Sequence, residues 1–507
     1  MRKKYNRLLC LLLAACIAFA GCTTGEGGDA SDPDAPNVLA PAGDLSIPYS
    51  SSAGFNPYLT ANSLTHQTAH LLFCRLITID PSFNVEYNLA ARVDINGVYV
   101  TIFIEPWQYA DGSAITPQDV AASILAATQS AGYAAALAGI EAVDVSGPDT
   151  VSITLREPDS MFAYLLDMPI IKQSELGNRA PTASGRYYVG TGEAGDPALI
   201  VNPYFHDADN MPAPAISLIE LGRQDTLIGS LNIGDISFYA SEQEAESSTS
   251  IANKTAYYKM NNLVFLGFNG TGNSVFTNAQ LRVAVSLAIN RSTLCEKAYF
   301  SRAYVATGAL NPTYPVAVGA GGLSAISDTA AASEMLTAAG YTTNTENAYL
   351  QGPNGAALTV RLLCPPGSAG KNYTANLIKE QLARVGIGVT IIETESTDAY
   401  LQILAAGNFD MYIGEIKLYN NMDLSPFFAA EGAANYGISI SPQLLAAYNA
   451  MRADDTATAD FEAAFAAEIP FAPLVYRCGT FSYNRALAGV NPSHSDLFYQ
   501  FENLHKE

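Results

Sequence analysis

Two histidines stand one helical turn apart in His66-Gln67-Thr68-Ala69-His70, the spacing with which a helix offers two imidazoles to one metal ion. Gln67 occupies the place where a zinc protease carries its general-base glutamate, and no third ligand is identifiable, so ordinary polar-face histidines are expected. Gly190-x-Gly192-x-x-Gly195 has the spacing of a dinucleotide-binding turn. Asp196-Pro197 follows it, in place of the helix whose N-terminus would hold the pyrophosphate, so it reads as a loop. No G-x-S-x-G, P-loop lysine or Cys/His cluster appears, and in a chain with 48 Asp+Glu paired carboxylates carry no weight alone. Cys74, Cys295, Cys364 and Cys478 each lie in an apolar run without C-x-x-C spacing, which points to buried free thiols. No catalytic residue, metal site or cofactor is assigned, and an enzyme is not expected.

With 507 residues and roughly 150 per domain, about three domains are expected. A chain that is 49% hydrophobic and 15% charged is not disordered. A net charge of −22 excludes nucleic acid as a partner, since phosphate binding needs clustered Lys and Arg.

The N-terminus carries an address. Arg2, Lys3, Lys4 and Arg7 precede the apolar run 8–20, too short for a comfortable membrane span and shaped like a secretory signal. It ends in Phe19-Ala20-Gly21-Cys22, which resembles the lipobox of bacterial lipoproteins. That resemblance implies lipidation of Cys22 and cleavage before it; an ordinary secreted protein with an incidental cysteine is the alternative. Leu13-Ala14-Ala15-Cys16 fits more loosely, because cleavage there would leave Ile17-Ala18-Phe19 exposed. Loss of the leader removes four positive charges and brings the net charge to −26, a surface repelled by anionic headgroups, so the lipid must supply the attachment. Residues 23–37 are Gly, Asp, Ser and Pro with almost nothing apolar, a flexible tether of roughly 20 Å span for its ~15 residues.

From about residue 42 the pattern is globular. A strand at 44–49 runs into the small-residue loop Ser50-Ser51-Ser52-Ala53-Gly54-Phe55-Asn56-Pro57, and a helix is expected at 62–75. Asn96-Gly97 marks a hairpin between 92–95 and 98–104, and Gly147-Pro148-Asp149 marks another between 143–145 and 151–155. Thr116-Pro117 opens a helix through Ala127, with an N-cap threonine, proline at the first position and acids in the first turn. Further on, strands at 358–364, 389–393 and 409–415 alternate with helices at 373–385 and 397–406, stopped by Gly386 and Gly407. This order predicts a parallel sheet, whose ligands sit beyond the carboxyl ends of its strands, where 415–428 departs.

An ordered set of motifs resembles the extracytoplasmic solute-binding proteins of ABC importers, family 5, the oligopeptide and dipeptide binders. The turn Ala53-Gly54-Phe55-Asn56-Pro57 opens the set, and Tyr109-Ala110-Asp111-Gly112-Ser113-Ala114-Ile115-Thr116-Pro117-Gln118-Asp119-Val120 is its most specific stretch. Gly267-Phe268-Asn269, Leu281 through Arg291, Ala338-Ala339-Gly340-Tyr341, Leu382 through Val389 and Phe409-Asp410-Met411 follow at family spacing. The resemblance implies an α/β, two-lobe periplasmic-binding-protein-like fold (type II, cluster C) with an extra small inserted domain. It divides the chain into a leader 1–21, a tether 22–41, lobe I from 42–77 with 179–262 and 471–507, the inserted domain 78–178, and lobe II at 263–470. The chain would cross between lobes near 259–263 and 470–475, and the ligand would be enclosed as they close. Implied partners are a peptide or other small solute and the ABC permease subunits, with membrane contact through the N-terminal lipid alone; a monomer outside the cytoplasm, anchored to the cell membrane, is expected.

In peptide binders of that family an aspartate after the F-D-M strand accepts the peptide α-ammonium, in a pattern close to Asp-x-x-Asp-Pro. Here the run is Tyr419-Asn420-Asn421-Met422-Asp423-Leu424-Ser425-Pro426, which places the neutral Asn420 where that carboxylate belongs. Either Glu415 or Asp423 takes over, or the ligand has no free amine. For Asp423 a helix-cap or turn role is the competing reading. Rough alignment adds Tyr49, Ser51, Tyr133, Tyr419 and Tyr476 as cleft-lining candidates, and Trp107 reads as structural. A glycan fragment or other amine-free solute, and a surface sensor or adhesion lipoprotein that keeps the fold, are the alternatives.

Overall fold

Turn chemistry and caps place the elements in the computed structural model, which describes residues 42–507 apart from 194, 222–223, 245–251 and 345–347. The leader, Cys22 and the tether lie outside the described residues. Gly97, at φ +62°, closes the hairpin of Ala90–Asn96 and Tyr99–Ile104, as the Asn-Gly pair demands. Ile140–Val145 and Thr150–Leu155 complete a four-stranded antiparallel sheet with them. Thr116 caps the helix Pro117–Ala127 in a reciprocal capping box with Asp119. Asn62 caps Ser63–Leu72 by accepting from the N–H groups of Leu64 and Thr65.

A second four-stranded sheet joins Leu45–Tyr49 to Ala215–Glu220 in parallel, then adds Pro197–Val201 and Tyr187–Thr191 antiparallel. Gly192 and Gly195 lie in the turn between the last two strands, the Gly192 N–H donating to the Asp196 carbonyl, so the glycines belong to a loop as the sequence suggests. The third sheet is the largest, with seven strands. Thr359–Leu363 lies between Gly388–Ile392 and Met411–Lys417, parallel to both, which is the expected β-α-β-α-β unit. On its other edge Met411–Lys417 pairs antiparallel with Asn253–Phe268, so the whole sheet is mixed. The helix Ala369–Ala383 starts four residues before the expected position, because Ser368 caps it by accepting from the Lys371 N–H (3.1 Å) while Ala369 to Asn372 show no apolar period.

Two long strands, Asn253–Phe268 and Phe471–Asn484, form the spine. Their ladder breaks between Lys259 and Leu263 and slips again opposite Val264 and Phe265, where Pro473 has no N–H to give. The Leu281–Arg291 motif fastens this place. Arg291, 1% exposed, donates to the carbonyls of Pro473 (2.8 Å), Ser286 and Ser324 and to Ser286 Oγ. Arg282 donates to the carbonyls of Glu468, Ile469 and Phe276. Burial brings the Arg291 guanidinium down to about 10, so it stays charged at neutral pH.

Beside the spine the register sets glycine against aromatic twice: Gly267 opposite Tyr412, and Gly414 opposite Phe265. A Cβ on Gly267 would sit 2.1 Å from the Tyr412 ring, and one on Gly414 2.4 Å from the Phe265 ring. Phe265 in turn meets Phe427, Phe471 and Tyr412 edge-on, at ring centroid separations of 4.8, 5.9 and 5.6 Å.

The residues whose spacing suggested chemistry disperse. His66 places Nε2 3.0 Å from the Thr60 carbonyl, while His70 Nδ1 accepts from the Leu497 N–H (2.9 Å). Cys74, Cys295 and Cys364 are buried free thiols; Cys478 is a free thiol too but only half-buried, in register with Lys259. Trp107 packs on Phe205 and His206 at the wall of a separate cavity of about 310 Å³. Among the described residues no helix is long and apolar enough to cross a membrane.

Candidate ligand-binding cleft

Just past the carboxyl end of Met411–Lys417, the loop 418–424 faces the segment 135–165 across a cavity of about 790 Å³. The loop side contributes Tyr419, Asn421 and Asp423, together with Tyr448, Asn449 and Arg452 from the helix Pro442–Ala453 and the turn around Glu431. Arg156, Glu157, Asp159, Phe162 and Leu165 form the opposite wall. A volume of this order suits a small organic solute or short peptide.

A cluster of contacts around Asp159 and Arg452 ties the two walls. Arg452 Nη2 lies 2.6 Å from Asp159 Oδ2, and Asn421 Nδ2 donates to the same oxygen at 2.7 Å. Arg452 Nη1 donates to the Asn421 carbonyl (3.0 Å), and its own backbone carbonyl accepts from the Ser160 N–H (2.8 Å). Burial raises the Asp159 carboxyl, with Arg452 and Asn421 pulling it back. Burial also opposes the charge of Arg452, and Asp159, Tyr448 and Asp423 more than offset it.

Of the sequence-derived candidates, Tyr419 and Asp423 line this cavity. Burial and then Asp423 raise the Tyr419 hydroxyl. Asp423 accepts from the Ser425 N–H (2.9 Å), Ser425 Oγ (2.6 Å) and Tyr448 Oη (2.7 Å), so its carboxylate closes an Asx turn ahead of Ser425–Phe428. Asn420, next to both, donates to Asp167 Oδ2 (3.0 Å) and accepts from Asn261 Nδ2 (3.1 Å). Glu415 is committed elsewhere, 2.6 Å from both Lys371 Nζ and Arg477 Nη2; burial raises its carboxyl, but these two cations outweigh it and leave it low. It therefore does not offer an unpaired charge to an amine.

Tyr49, Ser51, Tyr133 and Tyr476 are not among the residues lining this cavity. Tyr49 stacks on Phe55, and the Ser51 N–H donates to Glu220 Oε2 at 2.8 Å. Tyr133 sits edge-on to Tyr58 and beside His66. Tyr476 is corrected outright: it is fully buried, stacked on Tyr304 with its hydroxyl bonded to the Ala309 carbonyl, because the paired spine turns its ring into the core. Asp159, Asn421, Tyr448 and Arg452 escaped sequence reading, since each is an unremarked polar residue on its own element. Asp167 did leave a signal, a lone acid in the apolar run 161–171.

The mixed sheet, the pair of long crossing strands and a cleft walled by distant segments define a two-lobe α/β binding protein of the type II periplasmic kind. The chain belongs to the bacterial extracellular solute-binding proteins, family 5, whose model matches residues 84–435. It is 23% identical over 410 residues to the glutathione-binding protein GsiB of Shigella flexneri serotype 5b (strain 8401), covering 74% of this chain and 76% of that protein. In fold it is similar to a putative peptide-binding protein AppA from Clostridium difficile, with TM-score 0.68 and 19% identity over 92% of this chain and all of the other. It is also similar to the periplasmic murein tripeptide-binding protein MppA in its unliganded open form, with TM-score 0.74 and 16% identity over 93% and 99% of the two chains.

Proposed function

We propose that this chain is a lipid-anchored receptor that captures a small solute, a peptide, between its two lobes and hands it to the permease of an ABC importer. The observation that carries this is the cavity of about 790 Å³ whose two walls are joined by the Asp159–Arg452 pair. A contact of that kind forms when the walls meet, so a solute that fills the space and touches both shifts the population toward the closed form. A permease that prefers the closed form then reads occupancy. The relatives named for glutathione and a murein tripeptide support a peptide-sized guest. Cys22, at the end of the signal-like leader, supplies the anchor in this reading. Asn420, neutral where peptide binders of the family carry a carboxylate, favours a second reading, an amine-free solute such as a glycan fragment.

Thermal-shift screening of residues 42–507 against peptide and sugar libraries separates the two. A guest at a hundredfold excess over its Kd adds ~2.7 kcal/mol of stability. Peptides are expected to raise Tm while sugars leave it in place; the reverse result would overturn the peptide reading. Metabolic palmitate labelling, expected in the full chain and lost in Cys22→Ala, checks the anchor.

A further inference from the structure

The separate cavity of about 310 Å³ opens where the segments 70–107, 185–207 and 496–502 meet, and it shares no lining residue with the cleft. Aromatic rings wall it. Trp107 packs on His206 and Phe205, at ring centroid separations of 4.8 and 6.3 Å, and Tyr499 and Phe73 line it too.

The charge of this cavity is negative. Glu86, Asp207, Asp496 and Glu502 line it against Arg75 and Arg186, and no described lysine joins them. Both guanidinium groups are committed elsewhere. Arg186 Nη1 donates to Asp496 Oδ2 (2.9 Å) and to the His70 carbonyl (3.2 Å). Arg75, 6% exposed, donates to the Ser495 carbonyl, and its Nε is sealed from solvent. Burial lowers His70 to about 4 and lowers His206 as well, so neither adds charge at neutral pH.

Three of the four carboxylates already hold a partner. Asp496 has Arg186, Glu86 Oε1 accepts from Tyr499 Oη (2.7 Å), and Asp207 Oδ1 accepts from Asn210 Nδ2 (2.5 Å). The half-buried Glu502 carboxylate has no hydrogen-bond or ion-pair partner among the described residues. It acts electrostatically on both Tyr499 and His206, so its charge reaches two of the lining rings. Ring faces attract a poorly hydrated cation, and most strongly where water is scarce. An anionic guest is repelled here, and a neutral one leaves Glu502 unanswered. A primary ammonium brings three N–H donors to acceptors that are mostly spent, whereas a quaternary ammonium has no donor to satisfy.

We propose that this cavity is a second binding site, for a small quaternary ammonium compound, with the Trp107 ring and the Glu502 carboxylate as its principal contacts. It gives the single tryptophan a role beyond packing. The inference does not depend on solute capture in the cleft.

Because Trp107 is the only tryptophan, its fluorescence reports on this cavity directly. The full chain is titrated with choline, with its neutral isostere 3,3-dimethylbutan-1-ol, and with ethanolamine, sodium chloride holding the ionic strength constant. Choline is expected to change the emission saturably, and the other two to bind about tenfold more weakly. Glu502→Gln is expected to weaken choline about fivefold while leaving the emission of the guest-free protein in place. No saturable response to choline overturns the inference, and so does a neutral isostere that binds equally well; neither result needs a variant to fold. Ethanolamine binding as tightly as choline overturns the assignment to quaternary ammonium, and unchanged choline affinity in Glu502→Gln overturns the assigned contact. Each of these outcomes leaves peptide capture in the cleft standing.

Discussion

His70 and His494 are neutral in the fold for the same reason. Burial lowers His70 to about 4, helped by Arg75 and opposed by Asp496, and lowers His494 to about 3, helped by Lys417. Each folded value lies below the ordinary 6.5, so the unfolded chain takes up protons first as pH falls. Their contribution is complete above pH 6.5 and is lost as pH drops toward 4. Glu462 has the opposite sign. Its carboxyl accepts from the Ala309 and Leu310 N–H groups, yet burial lifts it to about 7, so its contribution is complete below 4.5 and is lost as pH rises through 7. Two histidines outweigh one glutamate, with His66 and His206 lowered in the same sense and Asp159 and Asp167 raised in the opposite one, and acidification from pH 6.5 to 5 is expected to lower the stability measured by urea unfolding. Glu415 and Glu242, both held low, act below that window. Glu462→Gln should steepen the loss and His494→Gln should soften it. A wild-type stability that is flat or rises on acidification contradicts this assignment.

At the scale of elements, the alternation and turn residues carried most of the fold. Asn96-Gly97, Thr116-Pro117, Gly386 and Gly407 each mark a turn, cap or stop that the backbone adopts, because each meets a local steric or hydrogen-bonding need. The antiparallel attachment of Asn253–Phe268 was not readable, since strand pairing between distant segments depends on partners rather than on local pattern. The same holds for the cleft. Its loop wall followed from the rule about strand ends, whereas Asp159 and Arg452 meet only through the tertiary fold. Gly267 illustrates how a motif residue gains its reason from such pairing: the Tyr412 ring lies over it. Gly267→Ala is expected to destabilise by about 1–3 kcal/mol, the range for overpacking in a filled core, without altering the surface of the cleft. An unchanged denaturation midpoint would show that the ring can move aside freely.

At the scale of the molecule, the two spine strands are slipped at 259–265 and fastened by Arg282 and Arg291. The proposed capture of a solute places its hinge at this break in the ladder, with the Asp159–Arg452 contact as the stop that closure reaches. Small-angle X-ray scattering of residues 42–507, with and without a saturating tripeptide pool that calorimetry shows to bind, measures this most directly. A smaller radius of gyration is expected with the pool present, and a weaker contraction at equal occupancy in Arg452→Ala. A scattering curve that stays the same while the pool is bound would contradict closure of the lobes around a guest.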